Sequence, residues 1–132
     1  MASRTISFDW TDSAAGAAWP VLVRVSGAAR ERAAIAYLDR HDQLCGARHF
    51  GGGHGHVDLS VRRIAIDALA FGAAAVVLAH NHPSGEAWPS RADREVTARL
   101  AHALRTLEVR LHDHWIAGAR GGWWSFRAAG LL

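Results

Sequence analysis

The segment AAAVVLAHNHPSG, residues 73–85, decides how this chain folds. Its first seven residues are apolar and lie between turn signals, and so short a run predicts a buried β-strand over 73–79. The strand leads directly into His80 and His82. Because side chains alternate along an extended chain, residues two apart point the same way, so both imidazoles can reach one ion.

A serine and a carboxylate follow in the pattern His-x-His-x7-Ser-x2-Asp, at Ser90 and Asp93. Two imidazole nitrogens and one carboxylate oxygen are the three protein ligands of a catalytic zinc ion, which keeps a fourth position for water. A structural zinc more often has four protein ligands, and Cys45 is the single cysteine. Ser90 and Asp93 also match a helix capping box, but capping does not account for the paired histidines.

Two further His-x-His pairs are present. His54 and His56 lie in a glycine-rich loop without an acid at a useful spacing, which predicts solvated side chains. His112 and His114 lie in a predicted strand and are expected to share one face, with Asp113 on the other. This pattern favours a structural or supporting role over ligation.

Strand and helix signals alternate along the rest of the chain, which predicts an α/β fold. Ser60 is a helix cap and Gly72 a helix stop. The expected domain is 21–132, after a variable, loosely determined N-terminal arm over 1–20; residues 21–25 fit either a strand or a short helix. The further predicted strands are 33–38, 43–50, 109–117 and 123–127, and the predicted helices are 61–71 and 91–107.

Length and composition exclude several classes of protein. The 132 residues make one domain, and a chain that is half apolar and one-fifth charged is globular, not disordered. No apolar run approaches the roughly 20 residues that cross a bilayer, and no secretory signal is expected. One cysteine suits a reducing cytoplasm. The net charge is +3 with no lysine, which permits nucleic-acid contact but does not argue for it.

The motif AHNHPSG, followed by Pro89, Ser90 and Asp93, resembles the JAB/MPN/JAMM metalloprotease domain in its bacterial RadC-like form. The resemblance continues through SVRRIAIDALAFG, LHDHWIAG and WWSFRAAGLL and covers roughly residues 30–132. It implies a mixed sheet flanked by helices, the JAB1/MPN, cytidine-deaminase-like architecture. Two departures are the expected lack of an N-terminal helix-hairpin-helix module and Val61-Arg62-Arg63 in place of the family's Pro-Arg-Glu.

The resemblance also implies a role for each site residue. His80, His82 and Asp93 would hold Zn²⁺, Glu31 would be the general acid/base, and Ser90 would stabilise the oxyanion.

Glu31 takes its role by position, because the family places this glutamate eight residues before the acid or amide that follows the strand, here Asp39. For Glu31 to reach the site, strands 33–38 and 73–79 must run antiparallel as neighbours or nearly so. If Glu31 lay far from the histidines, the candidates would be Asp39, Asp42 or Asp58.

The expected function is therefore that of a cytoplasmic zinc-dependent hydrolase that cleaves a peptide or isopeptide bond in a peptide or protein substrate. Two alternatives remain open at this point. One is a RadC-like accessory in DNA repair or processing, and the other is a catalytically silent interaction domain that keeps its metal for stability. No membrane partner is expected, and the oligomeric state is left open.

Overall fold

The computed structural model describes Asp9, residues 11–51 and residues 59–132 of the chain. A short 3-10 turn, Val23–Val25, follows the first helix. The helices and strands of the described residues are α1 (Ser13–Leu22), β1 (Arg32–Leu38), β2 (Leu44–Gly51), α2 (Val61–Phe71), β3 (Ala75–Asn81), α3 (Arg91–Thr106), β4 (Arg110–Ala117) and β5 (Trp123–Ser125).

The five strands form one mixed sheet in the order β2-β1-β3-β4-β5. β1 is antiparallel to both β2 and β3, and β5 is antiparallel to β4. β3 and β4 are parallel, and α3 makes the crossover that a parallel connection requires. The predicted α/β fold with a mixed sheet between helices is confirmed.

The sheet is covered on both faces. α1 packs on one face against a cluster that includes Ala36, Val77 and Trp115. The other face packs against residues of α2 and α3 in a second cluster, which includes Ile64 and Leu100. β3 is buried at all seven positions, which explains why its sequence is continuously apolar and does not alternate.

β3 begins and ends two residues later than predicted. The N–H of Ala73 still bonds to the carbonyl of Ala68, so residues 73 and 74 leave the preceding helix before the strand can begin. At the other end His80 pairs with both β1 and β4, and Asn81 pairs with β4. The first histidine therefore lies within the sheet, where its backbone is held from both sides.

The predicted ends of α2 and α3 are confirmed to within one residue. Ser60 accepts the N–H of Arg63, and Gly72 ends α2 at φ 69°, a left-handed conformation that costs glycine little. α3 begins with the predicted capping box of Ser90 and Asp93. No helix of the described residues is long and apolar enough to cross a membrane.

The N-terminal region is more ordered than predicted. Asp12 caps α1 by accepting the N–H groups of Ala14 and Ala15, so residues 13–20 are not a loose arm and the open stretch 21–25 is helical. The helix crosses the boundary expected between residues 20 and 21. Its buried residues are Ala14, Ala15, Ala18 and Leu22, which are mostly small, and Pro20 lies within the helix. Both features weaken the helical signal in the sequence.

β5 is also shorter than its predicted range of 123–127, because the chain turns after Ser125. The Ser125 hydroxyl oxygen accepts the N–H of Ala128 at 3.0 Å, and Ala129 N–H bonds to the Ser125 carbonyl at 3.1 Å. These are turn contacts, which end the strand.

Candidate metal centre

Three side chains converge where β3 ends and α3 begins. Nε2 of His80 lies 3.0 Å from Nε2 of His82. Asp93 Oδ1 lies 3.2 Å from the first nitrogen, and Asp93 Oδ2 lies 3.0 Å from the second. Their ligand atoms all lie within 4.8 Å of one another. The predicted convergence of both imidazoles with the carboxylate is present.

The backbone holds His82 in the tautomer that a metal ligand needs. Nδ1 lies 2.9 Å from the carbonyl oxygen of Glu86. A carbonyl only accepts, so Nδ1 carries the proton, and in the neutral ring Nε2 is a bare lone pair. The hydrogen bond with Asp93 raises the pKa of His82 and outweighs the burial that would lower it.

Asp93 supplies a carboxylate that stays ionised. Burial alone would raise the pKa of Asp93, but the hydrogen bonds with His80 and His82 outweigh it and hold this pKa well below its ordinary value. The N–H of Ser90 also donates to Oδ2 at 2.8 Å. The carboxylate is thus fixed in place by the helix cap that it helps to form.

The donor set fits a divalent metal ion. Two imidazole nitrogens that face each other at 3.0 Å repel if both present lone pairs, and a carboxylate beside them adds negative charge. A cation bound among the three groups removes both problems. Two histidines and one carboxylate are typical ligands of zinc sites that keep a coordination position open.

Glu31 lies at the same site despite its distance in sequence. β1 and β3 are antiparallel neighbours as predicted, and Ala33 pairs with His80. Glu31 therefore stands just before β1, at the end of the sheet where β3 delivers the histidines. A cavity of about 500 Å³ is lined by Glu31 together with His80, His82, Ser90 and Asp93.

Of the three alternative carboxylates, Asp39 and Asp42 lie away from this site. Asp39 follows Leu38, which pairs with Ala75 at the opposite end of β3. Asp42 accepts a hydrogen bond from the hydroxyl of Ser13 at 2.5 Å. Asp58 lies outside the described residues, as do His54 and His56.

Asn81 holds the backbone on both sides of Glu31. Its Oδ1 accepts the N–H of Arg32 at 2.6 Å. Its Nδ2 donates to the carbonyls of Ala28 and Arg30 at 3.2 and 3.0 Å. The sequence pattern did not single out this residue, although its place between two candidate ligands, facing the opposite side of the strand, was a signal that it contacts something else.

Ser90 is both a cap and a residue of the cavity. Its Oγ accepts the N–H of Asp93 at 3.0 Å. A serine hydroxyl that accepts one hydrogen bond still has its proton to donate. Capping therefore leaves Ser90 able to donate to a bound substrate.

The expectation that His112 and His114 share a face is wrong. Leu111 and Asp113 pair with consecutive residues of β3, so His112 is the extra residue of a β-bulge. It points to α1, where its Nε2 donates to Asp12 Oδ2 at 2.7 Å. His114 faces the other way, towards the metal site.

Asp113 organises the neighbouring strand. Its Oδ2 accepts from Trp115 Nε1 at 2.8 Å and from the Ser125 hydroxyl at 2.5 Å, and its Oδ1 accepts the N–H of Arg127 at 3.0 Å. These bonds join β4 to β5, which gives Asp113 a structural role.

His114 contacts the back of the first histidine. Its Nε2 lies 2.7 Å from Nδ1 of His80, and its Nδ1 lies 2.7 Å from the hydroxyl of Thr97. The ring stacks on Phe126 with the centroids 4.7 Å apart. Burial lowers the pKa of His114 well below its ordinary value.

The fold also assembles a groove that no local pattern predicts. It has a volume of about 900 Å³ and lies on the other side of α3 from the candidate site. The ion pairs that arginines form among the described residues involve Arg48, Arg63 and Arg91. The arginines that line the groove are different ones: Arg94, Arg105, Arg110 and Arg127.

Comparisons with known proteins match nearly the whole described chain to one family. The family model of the RadC-like JAB domain matches residues 13–131. The chain is 39% identical over 124 residues to the UPF0758 protein YfjY of Escherichia coli strain K12, covering 93% of this chain and 76% of that protein. It is 41% identical over 124 residues to YeeS of the same strain, with 93% and 82% covered. With YkfG of that strain it shares 43% identity over 104 residues, with 78% and 65% covered.

A mixed sheet between helices, with a histidine pair at the end of one strand and an aspartate at the start of the next helix, defines a JAB-type domain. The chain belongs to the RadC-like JAB domain family.

Proposed function

We propose that this chain is a zinc-dependent hydrolase of the JAMM type, which cleaves a peptide or isopeptide bond in a reducing cytoplasm. One observation carries the proposal: the fold brings Glu31 into the same cavity as the three side chains that can hold a metal ion. The single free cysteine, Cys45, suits that compartment.

His80, His82 and Asp93 would hold the zinc ion. A zinc ion bound by three protein ligands lowers the pKa of water from about 15.7 to about 7 and polarises a carbonyl. Glu31 lines the cavity beside them, and its carboxylate would act as general base. It accepts the proton of the attacking water and donates it to the leaving amine.

Ser90 and the cavity walls would act on the substrate. The Ser90 hydroxyl donates to the oxygen on which negative charge develops. The cavity also has apolar walls at Leu59 and Val96, which suit the side chains that flank an amide bond, and Arg99 adds a positive charge.

The variant Glu31→Gln tests the proposal. The amide has nearly the shape of the carboxylate but cannot take up a proton, so we expect unchanged zinc content and a loss of hydrolysis of at least about 100-fold, the lower range for general-base catalysis. Zinc is measured by metal analysis, and activity by cleavage profiling on peptide and isopeptide libraries. The matched control is Glu95→Gln. Glu95 also lines the cavity, and its carboxylate pairs with Arg91.

Each contrary result has a separate meaning. Loss of zinc in Glu31→Gln would make Glu31 a ligand, and unchanged turnover would remove it from the mechanism. A zinc-loaded wild type that cleaves nothing in either library would favour the silent interaction domain.

One observation favours the second candidate, an accessory in DNA processing. The groove beside α3 collects four arginines that form no ion pair with other described residues. Arginines grouped in this way suit phosphates. Duplex binding that weakens steeply with salt, and that weakens further in Arg105→Ala/Arg110→Ala, would support this candidate; binding that no salt concentration alters would dismiss it.

A further inference from the structure

A line of buried hydrogen bonds leads from α3 through β4 to the metal site. Thr97 Oγ1 lies 2.6 Å from the carbonyl oxygen of Asp93 and 2.7 Å from Nδ1 of His114. His114 Nε2 lies 2.7 Å from Nδ1 of His80. Thr97 is 2% exposed and His114 is fully buried, so the protein alone supplies these contacts.

The threonine sets the direction of the line. Two oxygens 2.6 Å apart need a proton between them, and a carbonyl has none, so the Thr97 hydroxyl donates to Asp93. A hydroxyl has one proton. Thr97 therefore offers only a lone pair to His114, and Nδ1 of His114 must carry a proton and donate it.

The direction then passes to the metal ligand. His114 is fully buried, and its ring nitrogens hydrogen-bond with the Thr97 hydroxyl and the His80 ring but with no carboxylate among the described residues, so nothing there balances a charge and the ring is neutral. A neutral imidazole has one N–H, so Nε2 of His114 is an acceptor, and Nδ1 of His80 donates to it. Nε2 of His80 is left as a bare lone pair, and this is the atom that faces Asp93 and His82.

Hydrogen bonds donated in the opposite direction would prevent metal binding. If Thr97 donated to His114, the proton of His80 would sit on Nε2, where it blocks coordination. His82 does not face this choice, because a backbone carbonyl at Glu86 fixes its tautomer. Among the residues that the structure describes, the first histidine has no such carbonyl partner, and its tautomer depends on the side chains of His114 and Thr97.

We propose that Thr97 and His114 are positioning residues that hold His80 in the tautomer able to bind metal. The inference rests on the metal site of the proposed function, but it does not depend on hydrolysis.

The variant Thr97→Val tests it, because valine has the shape of threonine without the hydroxyl. In the zinc-loaded variant the Nδ1–H of His114 is buried without an acceptor. In the metal-free variant the protons of His114 and His80 can move to their Nε2 atoms, so that this unsatisfied N–H disappears. We therefore expect zinc affinity to fall about 10- to 100-fold, as for other groups that orient a ligand. Thr97→Ser keeps the hydroxyl and should restore most of the affinity.

Thr106→Val is the matched control. Thr106 lies at the far end of the same helix, and its hydroxyl donates to the Ala103 carbonyl at 2.6 Å without contacting the site. The zinc affinity of Thr106→Val should equal that of the wild type. Affinity is measured on the full chain by competition between zinc and a chelator, and thermal unfolding of each metal-free variant checks the fold.

Nitrogen NMR of the zinc-loaded protein gives a second reading, with the proton of His114 expected on Nδ1. A proton on Nε2, or wild-type affinity in a folded Thr97→Val, overturns the inference while the metal site stands. A wild type that binds no zinc overturns the metal site itself and the inference with it.

Discussion

At the scale of single residues, the segment His80-Asn81-His82 serves two parts of the site at once. Alternation sends the two histidines to the metal position and Asn81 to the other side, where it binds the backbone around Glu31. The strand thereby positions both candidate histidine ligands and Glu31, the general base of the proposed mechanism, although Glu31 is 49 positions away from His80. The distance in sequence is closed by antiparallel pairing.

Asn81→Ala should separate these two tasks. The variant loses three hydrogen bonds to backbone groups near Glu31, and we expect it to lower the free energy of unfolding by about 1–3 kcal/mol. Zinc affinity should stay within a few-fold of wild type, whereas turnover should fall at least about tenfold because the general base is no longer held. Chelator competition and the cleavage assay measure the two effects.

The contrasting variant is His80→Ala, which should lose zinc and turnover together. If Asn81→Ala loses zinc to the same extent, then Asn81 supports the ligands themselves and not the base.

At the scale of elements, Asp67 joins α2 to the hairpin of β1 and β2. It accepts a hydrogen bond from the Tyr37 hydroxyl at 3.1 Å, and it is paired with Arg48. Burial alone would raise the pKa of Asp67, but the hydrogen bonds from Arg48 and Tyr37 outweigh it, so its pKa lies below the ordinary value. Burial of the Tyr37 hydroxyl, together with the charge of Asp67, raises the pKa of Tyr37.

Asp67→Asn should therefore destabilise the protein in a pH-dependent way. We expect a loss of about 1–2 kcal/mol near neutral pH, with Arg48 partly exposed to water. Because the folded pKa is the lower one, the contribution of Asp67 is complete above its unfolded pKa of about 3.9 and is lost as the pH falls further towards the folded value. The gap between wild type and variant should close in acid.

Urea unfolding of both proteins, in a chelator so that zinc does not contribute, measures this gap. Glu95→Gln serves as the control, because it breaks only an exposed pair with Arg91 and should change stability little at any pH. A gap that stays constant down to about pH 2 would show that the Asp67 charge does not contribute to stability.

At the scale of the whole molecule, metal binding should stabilise the fold, since the histidines lie at and just after the end of β3, Asp93 lies in α3, and all three are brought together only in the folded chain. Zinc at about 100 times its Kd should add about 2.7 kcal/mol and raise the melting temperature by several degrees. The double variant His80→Ala/His82→Ala should show no such rise. An equal rise in both proteins would place the bound zinc elsewhere.

The sequence by itself determined those features that depend on neighbouring residues. The apolar run before His80 predicts a strand, Ser60 and Ser90 predict the starts of two helices, and Gly72 predicts an end, all of which the structure confirms to within two residues. The histidine pair is predictable for the same reason, because alternation in a strand is a local property. The sequence did not predict α1, because the buried face of this helix is mostly alanine, which gives little hydrophobic contrast between its faces.

Only the tertiary structure decided how distant residues meet. The β-bulge at His112 turns this residue to α1 and leaves His114 at the metal site, and an extra residue in a ladder is defined only by its partner strand. The bonds of Asn81 and Thr97 depend likewise on register and on helix packing. Such contacts join elements far apart in sequence, and their geometry arises only when the sheet and its helices have come together.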